Sequence, residues 1–277
     1  MNNLRQLMVS WKLYADDNST VFPPNPDYNS FPRWVSGDMS STTAKIDPAK
    51  WSGIDATNSQ LLVDSQFSVI APYIKNPAIY RCPADRSTIG TLGTGRNEIN
   101  RVRSYSMSQA VGPLENGQLT SSWGGGNHVA GNWLTDHTSD GNGNNQSAPG
   151  GFPFRVFYKE SLIQGISPAD LWVLIEEHAN SINDAAFAVA MPSTPRDGVW
   201  IDIPSKRHNN GCEFSFADGH AEVHRWQAPG LIPNEVWQVD ETANLGNGSD
   251  SFVDQDVYWL AHRTSCLAPG AVVPFIP

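Results

Sequence analysis

An Asp-Gly pair, Asp218-Gly219, sits between two runs of alternating residues, E-F-S-F-A before it and H-A-E-V-H after it. This stretch constrains the fold more than any other. Asp-Gly between alternating runs predicts a β-hairpin closed by a two-residue turn, because both turn positions favour φ > 0. Folded there, Ala217 faces His220, Ser215 faces Glu222, Phe214 faces Val223 and Glu213 faces His224. Cys212, Phe214, Phe216, Ala221 and Val223 then share a core face. Glu213, Ser215, His220, Glu222 and His224 share a polar face, and Trp226 falls on that polar side.

His208 precedes Asp218 by nine intervening residues, and the stretch 207–226 holds three of the seven histidines of the chain. Between His208 and Asp218, a straight strand over 211–217 alone spans about 20 Å at roughly 3.3 Å per residue. Ligands of one ion lie within roughly 2.0–2.6 Å of it, so His208 and Asp218 do not share a metal. The structural reading has Asp218-Gly219 making the turn and His208 fixing the H-N-N-G corner. The metal reading places an ion at one end only, with Glu177 or His178 from a neighbouring strand.

Glu176, Glu177 and His178 end an apolar run, D-L-W-V-L-I, that reads as a buried strand. Adjacent carboxylates on a strand point to opposite faces, so one of them faces inward and needs a partner. A satisfied strand-end charge near an arginine or a backbone corner is the plain interpretation, and Ca²⁺ or Zn²⁺ ligation is the functional one. Further strands are predicted for R-V-R-S-Y-S-M-S, D-A-A-F-A-V-A-M and G-V-W-I-D-I-P. Helices are predicted at both ends and, shorter, at S-Q-F-S-V-I-A-P-Y-I-K-N-P. At the start, Leu4, Leu7, Met8, Trp11 and Tyr14 recur every three or four residues, the stripe of an amphipathic helix over 1–18. Asn18 and the following prolines stop it.

The resulting order is a helix, an irregular region and then mainly antiparallel strands. We read it as one α+β domain over 1–277 with long irregular loops. Residues 115–151 form a Gly/Asn-rich, insertion-like loop carrying Trp123 and Trp133, a candidate glycan-stacking surface. The net charge of −10 opposes a nucleic-acid partner. No run approaches the ~18 apolar residues of a membrane span. Cys82, Cys212 and Cys266 lack the close pairing of a zinc motif, and Cys82, before Pro83, has no obvious basic partner that would make it a catalytic thiol. Serine-hydrolase, phosphate-loop and H-E-x-x-H signatures are absent, so no catalytic residue is assigned.

Three stretches, 2–18, 73–87 with 103–108, and 207–226, together resemble the pseudopilin-like, prepilin-type proteins marked by an H-x9-D-G motif. His208, Asp218 and Gly219 fit that motif as its structural residues. The resemblance implies a filament subunit akin to type II secretion pseudopilins and type IV pilins, with a helix packed on a small antiparallel sheet as its head. It implies an apolar half-helix before Met1, cleaved by a prepilin peptidase, through which alone the protein meets the membrane. It also implies a periplasmic or cell-surface location, with other pilin subunits and secretion machinery as partners and a polysaccharide or secreted cargo as the possible ligand. A cysteine preceding the N-N-L stretch, common in such proteins, would partner one of the cysteines here. Calcium is the one cofactor the resemblance allows. Two rival readings stand beside it. One is a secreted, calcium-assisted carbohydrate-binding module using Trp123 and Trp133. The other is a zinc-dependent hydrolase around Glu177, His178, His208 and His220.

Overall fold

A computed structural model describes residues 1–25, 32–40, 54–89, 99–112, 154–189, 191, 200–236 and 255–267. Loop 115–151, with Trp123 and Trp133, lies outside the described residues. The helices are α1 (Asn2–Asp17), the single turn α2 (Gln60–Val63) and α3 (Gln255–Ala261). The strands are β1 (Thr88–Ile89), β2 (Ile99–Asn100), β3 (Tyr105–Ser108), β4 (Trp172–Glu176), β5 (Ala186–Phe187), β6 (Gly211–Phe216) and β7 (Ala221–Arg225). β1 and β2 form a small antiparallel pair, and the other five make a sheet in the order β5-β3-β4-β6-β7. All neighbours in it are antiparallel except β3 and β5. The architecture is α+β.

The stripe expected at the start of the chain is the one that packs. Leu4, Leu7, Met8, Trp11 and Ala15 of α1 are buried, with Ala15 in place of the half-buried Tyr14. They join Met107 and Leu174 of the sheet in one core. The Trp11 indole N–H points at Met107 Sδ, 3.3 Å away, and its ring lies 4.3 Å from that of Phe22. α1 ends at Asp17, where Asn18 caps it and Thr20 N–H reaches back to the Ala15 carbonyl at 2.8 Å. No helix among the described residues is long and apolar enough to cross a membrane.

The opposite face of the sheet is covered as well. Trp172, Ile175, Phe214, Phe216 and Trp226 pack there with Leu260 and Ala261 of α3. β6 is therefore buried along its whole length, and a clean polar face is ruled out by the second layer.

The hairpin forms at Asp218-Gly219, but one residue out of the expected register. Ser215 pairs with Ala221, Phe214 with Glu222 and Cys212 with His224. The turn has three residues. Gly219 N–H donates to Phe216 O at 2.8 Å, and Phe216 N–H donates to His220 O at 3.0 Å. Only Gly219 is left-handed, at φ +99°, which is the bulged type I arrangement. The extra residue turns β7 over. Trp226 and His224 join the Phe214 face, and Ala221 turns to the α1 face with Ser215.

Two other expectations are corrected. Residues 200–204 form no strand; only Pro204 pairs, in an isolated bridge with Glu177. Residues 65–77 hold a short 3-10 turn, Ala71–Tyr73, in place of a helix, with Pro72 at its start and Pro77 opening the next turn.

Candidate functional site

The chemistry-bearing residues gather where β4, β6 and the turn after Tyr80 meet. Glu176 ends β4, and register puts it on the α1 face with Tyr105 and Glu213. It is wholly buried. Its Oε1 accepts from Arg207 Nη1 at 2.9 Å, and its Oε2 accepts from Ser205 Oγ at 2.8 Å and lies 3.1 Å from His208 Nε2. Burial opposes its ionisation, but Arg207 and His208 outweigh that and bring the carboxyl down to about 2. Asp85 is held low in the same way, burial being overcome by Arg207 and Arg101. Arg207 thus ties the 82–87 turn to the sheet. Its own charge is reinforced, burial being outweighed by Glu176, Asp85 and Glu235.

Glu177, the next residue, points to the other face. It is also wholly buried, and it accepts from Ser106 Oγ at 2.5 Å and Ser181 Oγ at 2.7 Å. Burial pushes it up to about 8, against the pull of the two hydroxyls. His178 accepts from Asn180 N–H through Nδ1 at 3.1 Å and faces the Asn234 carbonyl through Nε2 at 3.1 Å. Burial lowers its pKa to about 4, so the ring is neutral with its proton on Nε2.

His208 turns away from both. Its N–H donates to Gly211 O at 3.2 Å across Asn209 and Asn210, which are both left-handed at φ +54° and +60°. Asparagine tolerates that conformation better than most residues. The turn aims the imidazole at Cys82 and Glu213: Nε2 lies 3.4 Å from Cys82 Sγ and 3.7 Å from Glu213 Oε1. Hydrogen bonding to Glu176 raises its pKa. Burial and the neighbouring Glu176 push the Cys82 thiol up, so the pair lacks the thiolate of a cysteine nucleophile. Glu213 Oε2 accepts from Tyr105 OH at 3.0 Å, and its Oε1 meets the Met1 amine.

Asp218 lies at the far end of β6. Its Oδ1 accepts from His220 N–H at 3.0 Å and sits 2.6 Å from His220 Nδ1. The His220 ring stacks on Phe216, centroids 4.3 Å apart. Among the described residues, one group of three has ligand atoms within 4.8 Å of each other: Cys82, His208 and Glu213. Of the residues expected near a metal, only His208 belongs to it. Glu177, His178 and Asp218 keep separate partners. No spacing rule brings Cys82 to His208, because 126 positions separate them.

Comparison with known proteins finds no matching family model, no matching curated protein and no matching solved structure.

Proposed function

We propose that this chain is the non-enzymatic head of a pseudopilin-like filament subunit. The observation that carries this reading is the two-sided character of α1. One stripe is buried on the sheet, while Val9 and Leu13 are 59% and 45% exposed on the outer side. This step of four residues makes a second, short apolar stretch on the helix. A groove of 460 Å³ between α1 and residues 73–79, bordered by Val9, Tyr73 and Ile79, runs beside it. A helix that packs inward on its own sheet and outward on neighbouring helices is what a filament spine requires.

The polar centre supports a structural role. Glu176, Glu177 and His178 each have partners within the protein, and the Cys82 thiol is kept protonated. Trp123 and Trp133, on which the carbohydrate-binding alternative rests, are not among the described residues.

The test uses the native gene read through its full upstream frame and expressed in its own host. Val9→Cys and Leu13→Cys variants are treated with a short bismaleimide, with the parent protein as thiol control. A ladder of dimers and higher species specific to the added cysteines is expected, from a frame that encodes a prepilin cleavage site and ~20 apolar residues. Monomeric adducts only, or a frame without that segment, would overturn the reading.

A further inference from the structure

We propose that Cys82, His208 and Glu213 form a zinc site, with Sγ, Nε2 and Oε1 as ligand atoms. Around a tetrahedral zinc with bonds of ~2.0–2.3 Å, neighbouring donors lie roughly 3.3–3.7 Å apart. The imidazole Nε2 stands 3.4 Å from the thiol sulfur and 3.7 Å from the carboxylate oxygen. All three donors lie within 4.8 Å of one another. The set is built to converge before any ion arrives.

The donor types choose the metal. Calcium and magnesium take oxygen ligands and leave a thiol and an imidazole unused. One sulfur, one nitrogen and one oxygen suit zinc, which accepts all three. Supporting contacts hold two of the ligands in place. Tyr105 OH binds Glu213 Oε2 at 3.0 Å and leaves Oε1 to face the imidazole. Ala84 N–H donates to Cys82 Sγ at 3.3 Å, a contact that stabilises sulfur as it gains negative charge. Hydrogen bonds of this kind, made to the ligands by their neighbours, fix ligand orientation.

Zinc displaces the thiol proton and takes the place of the Met1 amine at Glu213 Oε1. The nearest additional donor is Glu176 Oε2, 3.1 Å from His208 Nε2. The ion would join the 82–87 turn to the start of β6 beneath the first turn of α1, closing a chain segment of 126 positions. Its role is to clamp the head, and it does not depend on filament assembly.

The experiment begins with purified protein stripped by a chelator and given Zn²⁺ or Co²⁺. The expected result is one metal per chain after dialysis and, with cobalt, a thiolate-to-metal absorption band. Zinc is expected to protect Cys82, but not Cys266, from alkylation in the unaltered protein. Free zinc a hundredfold above Kd raises Tm by roughly 5–10 °C. Cys82→Ser and Glu213→Gln abolish these effects, whereas His220→Gln at the hairpin tip leaves them intact. Substoichiometric metal, cobalt without the thiolate band, or unchanged alkylation of Cys82 would overturn the site. The alkylation test stands even where a variant fails to fold.

Discussion

The two ends of β6 belong to one short motif but are built on opposite principles. At the His208 end, charges are buried and every side chain leans on another: Arg207 on Glu176 and Asp85, His208 on Glu176, Tyr105 on Glu213. At the Asp218-Gly219 end, Asp218 and His220 are more than a third exposed and interact with each other. What matters there is the left-handed backbone of Gly219. One end specifies which distant segments meet, and the other specifies where the chain turns. The contrast predicts large, charge-dependent effects at the first end and small, conformational ones at the second.

Arg207→Met should show the largest effect. It leaves Glu176 and Asp85 buried without their main counter-charge. Breaking a buried ion pair from one side costs about 3–5 kcal/mol, measured as a shift in denaturant midpoint with unchanged slope. A loss below about 1 kcal/mol, the level of a surface pair, would erase the distinction between the two ends.

The neighbours Glu176 and Glu177 sharpen it through pH. Glu176 has a folded pKa near 2, below its unfolded value of 4.5, so its contribution is present above 4.5 and lost as pH falls towards 2. Glu177 has a folded pKa near 8, above its unfolded 4.5, so the folded state holds the extra proton between these values. Its contribution is full below 4.5 and is lost as pH rises to 8. One proton corresponds to a slope of about 1.4 kcal/mol per pH unit in that window. Glu177→Gln should flatten the fall between pH 5 and 8 and leave the acid limb unchanged. An unchanged neutral limb in urea titrations at several pH values would show that Glu177 is ionised in the fold.

Gly219→Ala should cost about 1–2 kcal/mol, the penalty of a left-handed alanine. The new methyl would meet Lys12 Cε at 3.3 Å, a flexible chain end that can withdraw, so backbone strain dominates. Gly219→Asn, which tolerates the conformation better, should recover part of the loss. Equal losses for Ala and Asn in thermal unfolding would point instead to crowding against α1.

The sequence made the regular parts of this picture legible. Leu4, Leu7, Met8 and Trp11 announce the buried stripe of α1, because helical spacing is local. Asp218-Gly219 announces the hairpin for the same reason. The register escaped, since Asp-Gly serves both a two-residue turn and the bulged three-residue turn found here, and the choice moves Trp226 from one face to the other. Trp226 on the expected polar side was the one sign of the slip. The meeting of Cys82, His208 and Glu213 depends on tertiary packing across distant segments, where no spacing rule reaches. Arg207 was equally invisible as the partner of Glu176, although the need for such a partner followed from a carboxylate at the end of a buried strand.

The smallest effect belongs to Asp218→Asn. The amide oxygen can still accept from the His220 N–H, so the turn keeps its local hydrogen bond while the charge is lost. Asp218 has a lowered pKa, burial being outweighed by the backbone and side-chain contacts of His220. Its contribution is therefore present above the unfolded pKa of 3.8 and is lost as pH falls. With both side chains more than a third exposed, exchange with water and screening by salt leave such a pair at about 0–1 kcal/mol. The substitution should therefore cost less than about 0.5 kcal/mol at neutral pH, and added salt should remove the difference from the parent. A loss rivalling that of Arg207→Met would mean that the tip, too, carries a charge on which the fold depends, and the two ends of β6 would no longer be different in kind.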